Sequence, residues 1–339
     1  MDYRPLGRTG VSVTPFTLGT MLFGGAVDES DAARQLDIAL DAGINSLDTA
    51  NVYGRGASEE LLGRILGKAG RRDRLVLASK FHCAMDDDDP NAAGSSRRHL
   101  IDQCEASLRR LGVDHLDIYY VHRPTTRVPI DETLRALDDL VHAGKIRYIG
   151  TSSFAAWQLL ESLWVAKDHH LNRPVVEQTP YSLLDRRVER ELLPMAQSYG
   201  IGVTVWSPLA GGLLTGKYQQ GASPEGVRLT RGSDDAWSAK HFGDHVDPVV
   251  EAIVDIATDK GCTPAQLSLA WLLAQPAVSS IVLGARTADQ LTEQLPAADI
   301  TLDDEDLAQL DKVTPPGRAV VPYYLDDAYA DFRPHLHRW

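Results

Sequence analysis

The chain has 339 residues, enough for one large barrel or for two domains of about 150 residues each. Charged residues make up 24% and hydrophobic residues 43%, a globular balance that excludes disorder of the whole chain. The net charge of −13 is spread along the sequence and argues against a nucleic-acid backbone as partner, so an anionic cofactor would need a locally basic pocket.

The three cysteines, Cys83, Cys104 and Cys262, are odd in number and far apart, which is neither a disulfide framework nor a zinc spacing. The N-terminus lacks the basic-then-apolar layout of a signal peptide, and no apolar run approaches the ~20 residues of a membrane helix. A cytoplasmic protein with no membrane or nucleic-acid partner is expected.

In chain order, short apolar runs predict strands at Phe16–Thr20, Ser46–Asp48, Leu75–Lys80, Leu116–Val121, Ile146–Thr151, Val175–Gln178, Gly202–Trp206 and Ser280–Leu283. Helical patterns alternate with them at Ser30–Ala42, Ser58–Leu66, Arg97–Leu111, Asp131–Ala143, Phe154–His169, Arg186–Tyr199, Pro248–Gly261 and Thr287–Leu295, with an extra helix at Pro264–Leu273. Ser58 followed by Glu60 reads as a helix cap, and Gly43 and Gly144 as left-handed helix ends. About eight β-then-α units without a composition break predict a single-domain (β/α)₈ barrel over residues 1–313, an α/β fold whose active site lies at the strand C-termini. Two segments break the rhythm: a polar stretch at 218–247, read as a lid, and a proline- and aromatic-rich tail at 314–339, which either folds over the barrel mouth or packs outside it.

Reactive residues collect at the predicted strand ends. Asp48 ends the second strand and is followed by Tyr53; Lys80 ends the third, and His122 follows the fourth. Any one of them alone reads as a cap or a solvated loop residue, but four on three consecutive strands face one mouth. A phenol titrates near pH ~10, and a neighbouring ammonium favours its ionised form. A carboxylate keeps that ammonium charged, and a histidine can orient a carbonyl oxygen, so the set makes a proton donor for a developing alkoxide. There is no nucleophile elbow and no metal set.

A proton donor to a carbonyl needs a hydride source, which is cofactor chemistry. No GxGxxG follows a strand, and Gly54-Arg55-Gly56 fails that pattern. The segment 211–217 fits GxxxxGK but ends in Tyr218 instead of Ser or Thr, so it is read as a phosphate-handling loop and not as a nucleotide-hydrolysing one. Phosphate in such barrels sits after strands seven and eight, here the loops at 206–217 and 283–287. Asp86–Asp89, His335 with His337, and Cys83 read as a solvated acidic loop, tail histidines and a buried thiol.

The chain resembles the aldo-keto reductases over about residues 3–313. The resemblance rests on Leu-Gly-Thr-Met at 18–21, Gly-Ile-Asn-Ser-Leu-Asp-Thr-Ala at 43–50, Tyr53-Gly54, Ser79-Lys80, Tyr-Val-His-Arg-Pro at 120–124, and Gly-Lys-Ile-Arg-Tyr-Ile-Gly at 144–150. Further matches are Glu-Gln-Thr-Pro-Tyr-Ser-Leu-Leu at 177–184, Trp-Ser-Pro-Leu at 206–209, and Leu-Gly-Ala-Arg at 283–286. It implies a (β/α)₈ barrel binding NADP(H) across its mouth, with Tyr53 as general acid/base, Lys80 and Asp48 tuning it, and His122 orienting the carbonyl of a small-molecule substrate. It implies that Trp206 stacks on the nicotinamide, that Ser152 and Gln178 bond its carboxamide, and that Thr20, Met21 and Asp48 border it. Ser207, Leu209, Gly211 and Lys217 would hold the pyrophosphate, and Gly284, Arg286, Gln290 and Gln294 the adenosine phosphate end. The sequence departs from the family pattern at Ser153, where Asn is usual, at Thr125, where Asp is common, and at Gln294, where Asn is more usual. The long lid and proline-rich tail resemble the bacterial and channel-subunit branches, among which deoxysugar ketoreductases and potassium-channel β-subunits are two homes. A second expectation is therefore a cofactor-binding regulatory subunit with little turnover.

Overall fold

The computed structural model describes residues 1–67, 71–218 and 245–321. Most of the expected lid, residues 219–244, and the late part of the tail, including Tyr323, Tyr324, Tyr329, Phe332, His335, His337 and Trp339, lie outside the described residues.

Two short strands, β1 (Arg4–Pro5) and β2 (Ser12–Val13), pair antiparallel as a hairpin ahead of the barrel. The barrel strands follow as β3 (Phe16–Gly19), β4 (Ser46–Asp48), β5 (Val76–Phe81), β6 (Leu116–Val121), β7 (Ile146–Ser152), β8 (Pro174–Pro180), β9 (Gly202–Trp206) and β10 (Val278–Leu283). Each pairs parallel with its neighbours in sequence, and β10 closes on β3. This is the (β/α)₈ barrel the alternating pattern predicts.

Why these runs make a barrel follows from burial on both faces. The strands are short and almost continuously buried, so they cannot show the in–out alternation of a sheet facing water. Helices from Glu29–Asp41 to Ala288–Gln294 cover the outside of the wall. Their ends are written in the sequence as expected at Gly43 and Gly144, both left-handed, at φ +85° and +71°. The interior is filled from alternate positions: Ala78, Ile118, Tyr120 and Val176 form one small cluster with Leu6 and Val13. Leu6 and Val13 come from the hairpin, so the hairpin floors the barrel at its N-terminal end. Arg4 fastens it by donating to the carbonyls of Leu273 and Val278 at 2.9 and 3.1 Å.

Four local readings are corrected. The hairpin had no place in the predicted elements. Nor did the helix Asp304–Val313, whose start is capped by Asp303 accepting from the backbone N–H groups of Glu305 and Asp306. Ser58 does not cap a helix: the helix begins at Ala57, and the Ser58 hydroxyl is buried against Thr20 and Thr49. The helix expected over Arg186–Tyr199 splits into a single tight turn at Arg187–Glu189 and a helix at Leu192–Tyr199.

The described start of the tail is anchored. Arg186 is buried and donates to Glu189, to Asp311 at 2.7 Å and to the Thr314 carbonyl at 2.5 Å, with its guanidinium over the Trp271 ring. Val320 and Val321 both donate their backbone N–H to the Leu184 carbonyl, so residues 314–321 run along the loop that leaves the C-terminal end of β8.

Candidate active site

Strand alternation decides which side chains enter the mouth. Ser46 and Asp48 on β4, Ala78 and Lys80 on β5, Ile118 and Tyr120 on β6, and Val176 and Gln178 on β8 take the interior positions two residues apart. Most of them line a small internal cavity of about 20 Å³, room for about one water, beneath the mouth.

Lys80 is completely buried, and all three of its ammonium protons are used. One goes to Asp48 Oδ1, one to the Thr49 carbonyl at 2.9 Å, and one to the Tyr53 hydroxyl at 3.1 Å. The second oxygen of Asp48 accepts from Gln178 Nε2 at 2.7 Å. His122 stands edge-on to Tyr53, ring centres 5.8 Å apart, with its Nδ1 buried and without a hydrogen-bond partner among the described residues. Asp48, Tyr53, Lys80 and His122 thus meet in one place, as their strand-end positions imply.

The electrostatics differ from the sequence expectation at the phenol. Burial pushes the Tyr53 hydroxyl above its usual value; Lys80 pulls it down without cancelling that effect. Tyr53 is therefore a protonated phenol at neutral pH, the form that donates. Burial also opposes the charge on Lys80, but Asp48 and Tyr53 together outweigh it and hold the ammonium above its usual range. Burial first, then Lys80, Arg123 and His82, drive His122 well below the ordinary imidazole range, so it is neutral.

Tyr53 is placed by a turn that needs glycine. Tyr53–Gly56 is one tight turn in which Gly54 and Arg55 have positive φ and Gly56 reaches φ +101°. A Cβ on Gly56 would lie 2.8 Å from Arg110 Cδ, so the Arg110 side chain packs where only hydrogen fits. Arg110 is held by the buried Glu59, which also accepts from Ser79, the neighbour of Lys80. Sequence reasoning missed Glu59 and Arg110. The available signal was an acid in the first turn of the helix Ala57–Leu66, at a position on its apolar-facing side.

The other expected contacts fall on the rim. Ser152 ends β7 in register with Gln178, and Trp206 ends β9 in register with Pro180. Gln178 spends its amide on Asp48, so it braces the acid as well as facing the mouth. Thr20 turns its hydroxyl inward to the Asp48 carbonyl and to Ser58, whereas Met21 is exposed. After β9 the backbone takes left-handed values at Ser207, Ala210, Gly211 and Gly212, and within this turn the Ala210 and Gly212 N–H groups donate to the Ser207 and Leu209 carbonyls. At Gly212, φ +102°, a Cβ would lie 3.0 Å from Lys217 Nζ, so the lysine folds over the loop. Burial and then the charge of Arg286 push the Lys217 ammonium down, which places two cations near one another. Gln290 uses its Oε1 to accept the Arg286 backbone N–H at 3.0 Å and so shapes that loop; Gly284 opens it directly after β10, whereas Gln294 lies at the far end of the helix Ala288–Gln294. An anionic phosphate fits beside this pair of cations.

Among the described residues, no three His, Cys, Asp or Glu side chains converge as a metal site, and no helix is long and apolar enough to cross a membrane. Asp87 of the acidic loop pairs instead with Arg55 at the rim.

The sequence signature described as "Aldo/keto reductase family" matches residues 15–315. The chain belongs to the aldo/keto reductase family. Among its relatives, an "Uncharacterized oxidoreductase YrpG" of Bacillus subtilis is 41% identical over 327 residues, covering 93% of this chain and 96% of the relative. A "Probable voltage-gated potassium channel subunit beta" of Arabidopsis thaliana is 37% identical over 303 residues, 88% of this chain and 92% of the relative. A "Putative voltage-gated potassium channel subunit beta" of Schizosaccharomyces pombe is 38% identical over 325 residues, covering 93% and 90%. Membership makes this aldo/keto reductase an oxidoreductase of a family that acts on small carbonyl compounds and generally binds NAD(P)H.

Proposed function

We propose that this aldo/keto reductase reduces an aldehyde or ketone to an alcohol with NADP(H), using Tyr53 as the proton donor; a sugar or natural-product ketone is the proposed substrate class. The observation that carries the reading is the Lys80 ammonium shared between Asp48, the Thr49 carbonyl and the Tyr53 hydroxyl.

When bound, the nicotinamide supplies a hydride to the carbonyl carbon. Tyr53 gives its proton to the carbonyl oxygen as negative charge builds there, and Lys80 stabilises the phenolate left behind. Asp48 keeps Lys80 charged and Gln178 keeps Asp48 in place. The neutral His122 orients the carbonyl without adding a competing cation. Trp206 would hold the nicotinamide ring and Ser152 and Gln178 its carboxamide; Met21 and the Thr20 backbone would border it. Ser207, Leu209, Gly211 and Lys217 hold the pyrophosphate. Gly284, Arg286, Gln290 and Gln294 receive the adenosine end, and Arg286 favours the extra phosphate of NADP over NAD. A cytoplasmic setting suits NADPH as the reductant.

The test is NADPH oxidation over a panel of aldehydes, ketones and keto-sugars, wild type beside Tyr53→Phe. Turnover lost in the variant with NADPH binding intact supports the reading; equal turnover in both refutes the assignment of Tyr53. The names of the Arabidopsis and Schizosaccharomyces relatives favour a second reading, a cofactor-binding regulatory subunit. It predicts tight NADPH binding, negligible turnover on every panel member, and a stable protein partner.

A further inference from the structure

Glu177 and Gln178 are neighbours on β8 whose side chains leave opposite faces of the strand. Gln178 enters the barrel and meets Asp48. Glu177 leaves through the outer side of the wall and is completely buried there, beneath the turn that follows β7.

Three donors of that turn face the carboxyl group. The Thr151 hydroxyl donates to Oε2 at 2.5 Å, the Phe154 backbone N–H donates to Oε1 at 3.0 Å, and the Ser153 backbone N–H also lies within reach. The same Ser153 N–H donates to the Gln178 carbonyl at 2.9 Å, so both neighbours on β8 pull on one turn. No basic group faces Glu177 among the described residues. Burial without a cation pushes the acid up to about 8.

A buried acid with no ion partner is costly to keep. What it holds is also costly: Ser153 sits at φ +62°, a left-handed conformation that a non-glycine residue adopts only when its surroundings impose it. The family's usual Asn tolerates that conformation better than Ser does. The turn starts at Ser152, the last residue of β7, which is paired in register with Gln178.

We propose that Glu177 is a positioning residue for the nicotinamide carboxamide: by clamping Thr151, Ser153 and Phe154 it fixes the turn so that Ser152 is presented beside Gln178. The proposal rests on the reading that this site binds NADP(H) with its carboxamide at Ser152 and Gln178. Glu177 touches neither cofactor nor substrate and acts only through the turn.

The test compares two ligands on the full chain. NADPH carries the carboxamide, and adenosine 2′,5′-bisphosphate is the half that lacks it. Glu177→Gln keeps the shape and loses one acceptor. It is expected to raise the NADPH dissociation constant about tenfold and to leave that of adenosine 2′,5′-bisphosphate unchanged. Thr151→Val removes one donor without touching the acid, and about a threefold loss confined to NADPH is expected; this variant decides the matter if Glu177→Gln does not fold. Equal losses for both ligands, or no loss for either, would overturn the proposal, because a general loosening of the barrel would not distinguish them. A wild-type protein that binds neither ligand would remove the cofactor reading itself and the proposal with it.

Discussion

Lys80 and Tyr53 are joined at 3.1 Å by the last free proton of a buried ammonium, while the other two protons are already committed to Asp48 and the Thr49 carbonyl. An ammonium tied at three points cannot swing, so its direction toward the phenol is fixed before substrate arrives. The cost of orienting it is met in folding and not in the reaction.

Lys80→Met removes one partner of a buried pair and leaves Asp48 with Gln178 alone. A loss of about 3–5 kcal/mol in stability is expected, together with a fall in turnover of about 10² to 10⁴-fold. Denaturant unfolding read beside NADPH oxidation checks both. A variant as stable and as active as the wild type would show that the contact with Tyr53 is incidental.

Arg286→Ala should weaken NADPH binding far more than NADH binding, because the proposed reading puts Arg286 at a phosphate that NADH lacks. A loss of about 1.5–3 kcal/mol, the worth of a charge-assisted contact, is expected for NADPH alone. Fluorescence titration with each cofactor decides it, and equal losses would move the phosphate elsewhere.

Stability should fall as the pH rises toward 8, and Glu177 should be a cause. Its acid stands at about 8 in the folded chain against an ordinary value of 4.5. Between those values the folded state keeps a proton that the unfolded state releases, so raising the pH favours unfolding, and the effect levels off above 8. Thermal melts of wild type and Glu177→Gln from pH 5 to 8 should show the flatter slope in the variant. Parallel slopes would contradict the assignment.

Gly56→Val should damage the acid without touching it. The substitution meets Arg110 at 2.8 Å and a backbone at φ +101°, and about 1–3 kcal/mol of strain is expected. Relief by displacement moves the Tyr53 turn, so turnover should drop more than NADPH affinity. Pairing it with Arg110→Ala, which opens the space but leaves the φ penalty, separates the clash from the backbone strain.

The tetrad was legible because a parallel barrel reduces the search to strand C-termini: Asp48, Lys80 and His122 each sit at one, and Tyr53 follows within a turn. The barrel itself was legible from short apolar runs spaced by helices. The hairpin was not, because Arg4–Pro5 and Ser12–Val13 are too short to carry a period. The helix Asp304–Val313 hid behind its own acidic cap, which reads as a polar tail. Ser58 misled because a hydroxyl before a helix is a cap only if it faces the backbone, and tertiary packing turned this one to Thr20 and Thr49. Glu177 and Glu59 were passed over because an acid inside an apolar element declares its partners only in three dimensions. The direction of the Tyr53 shift was misjudged for a related reason: a list of neighbours names Lys80 but not the depth at which the phenol is buried.

The hairpin also bears on the chemistry at the opposite end. Leu6 and Val13 plug the barrel from below, and the small cavity above them reaches up to Asp48 and Gln178. The dry surroundings that keep Tyr53 protonated and His122 neutral depend on bulk water being absent from that side as well as from the mouth. The hairpin therefore serves as insulation beneath Asp48 and Gln178, the two groups that brace the ammonium facing Tyr53.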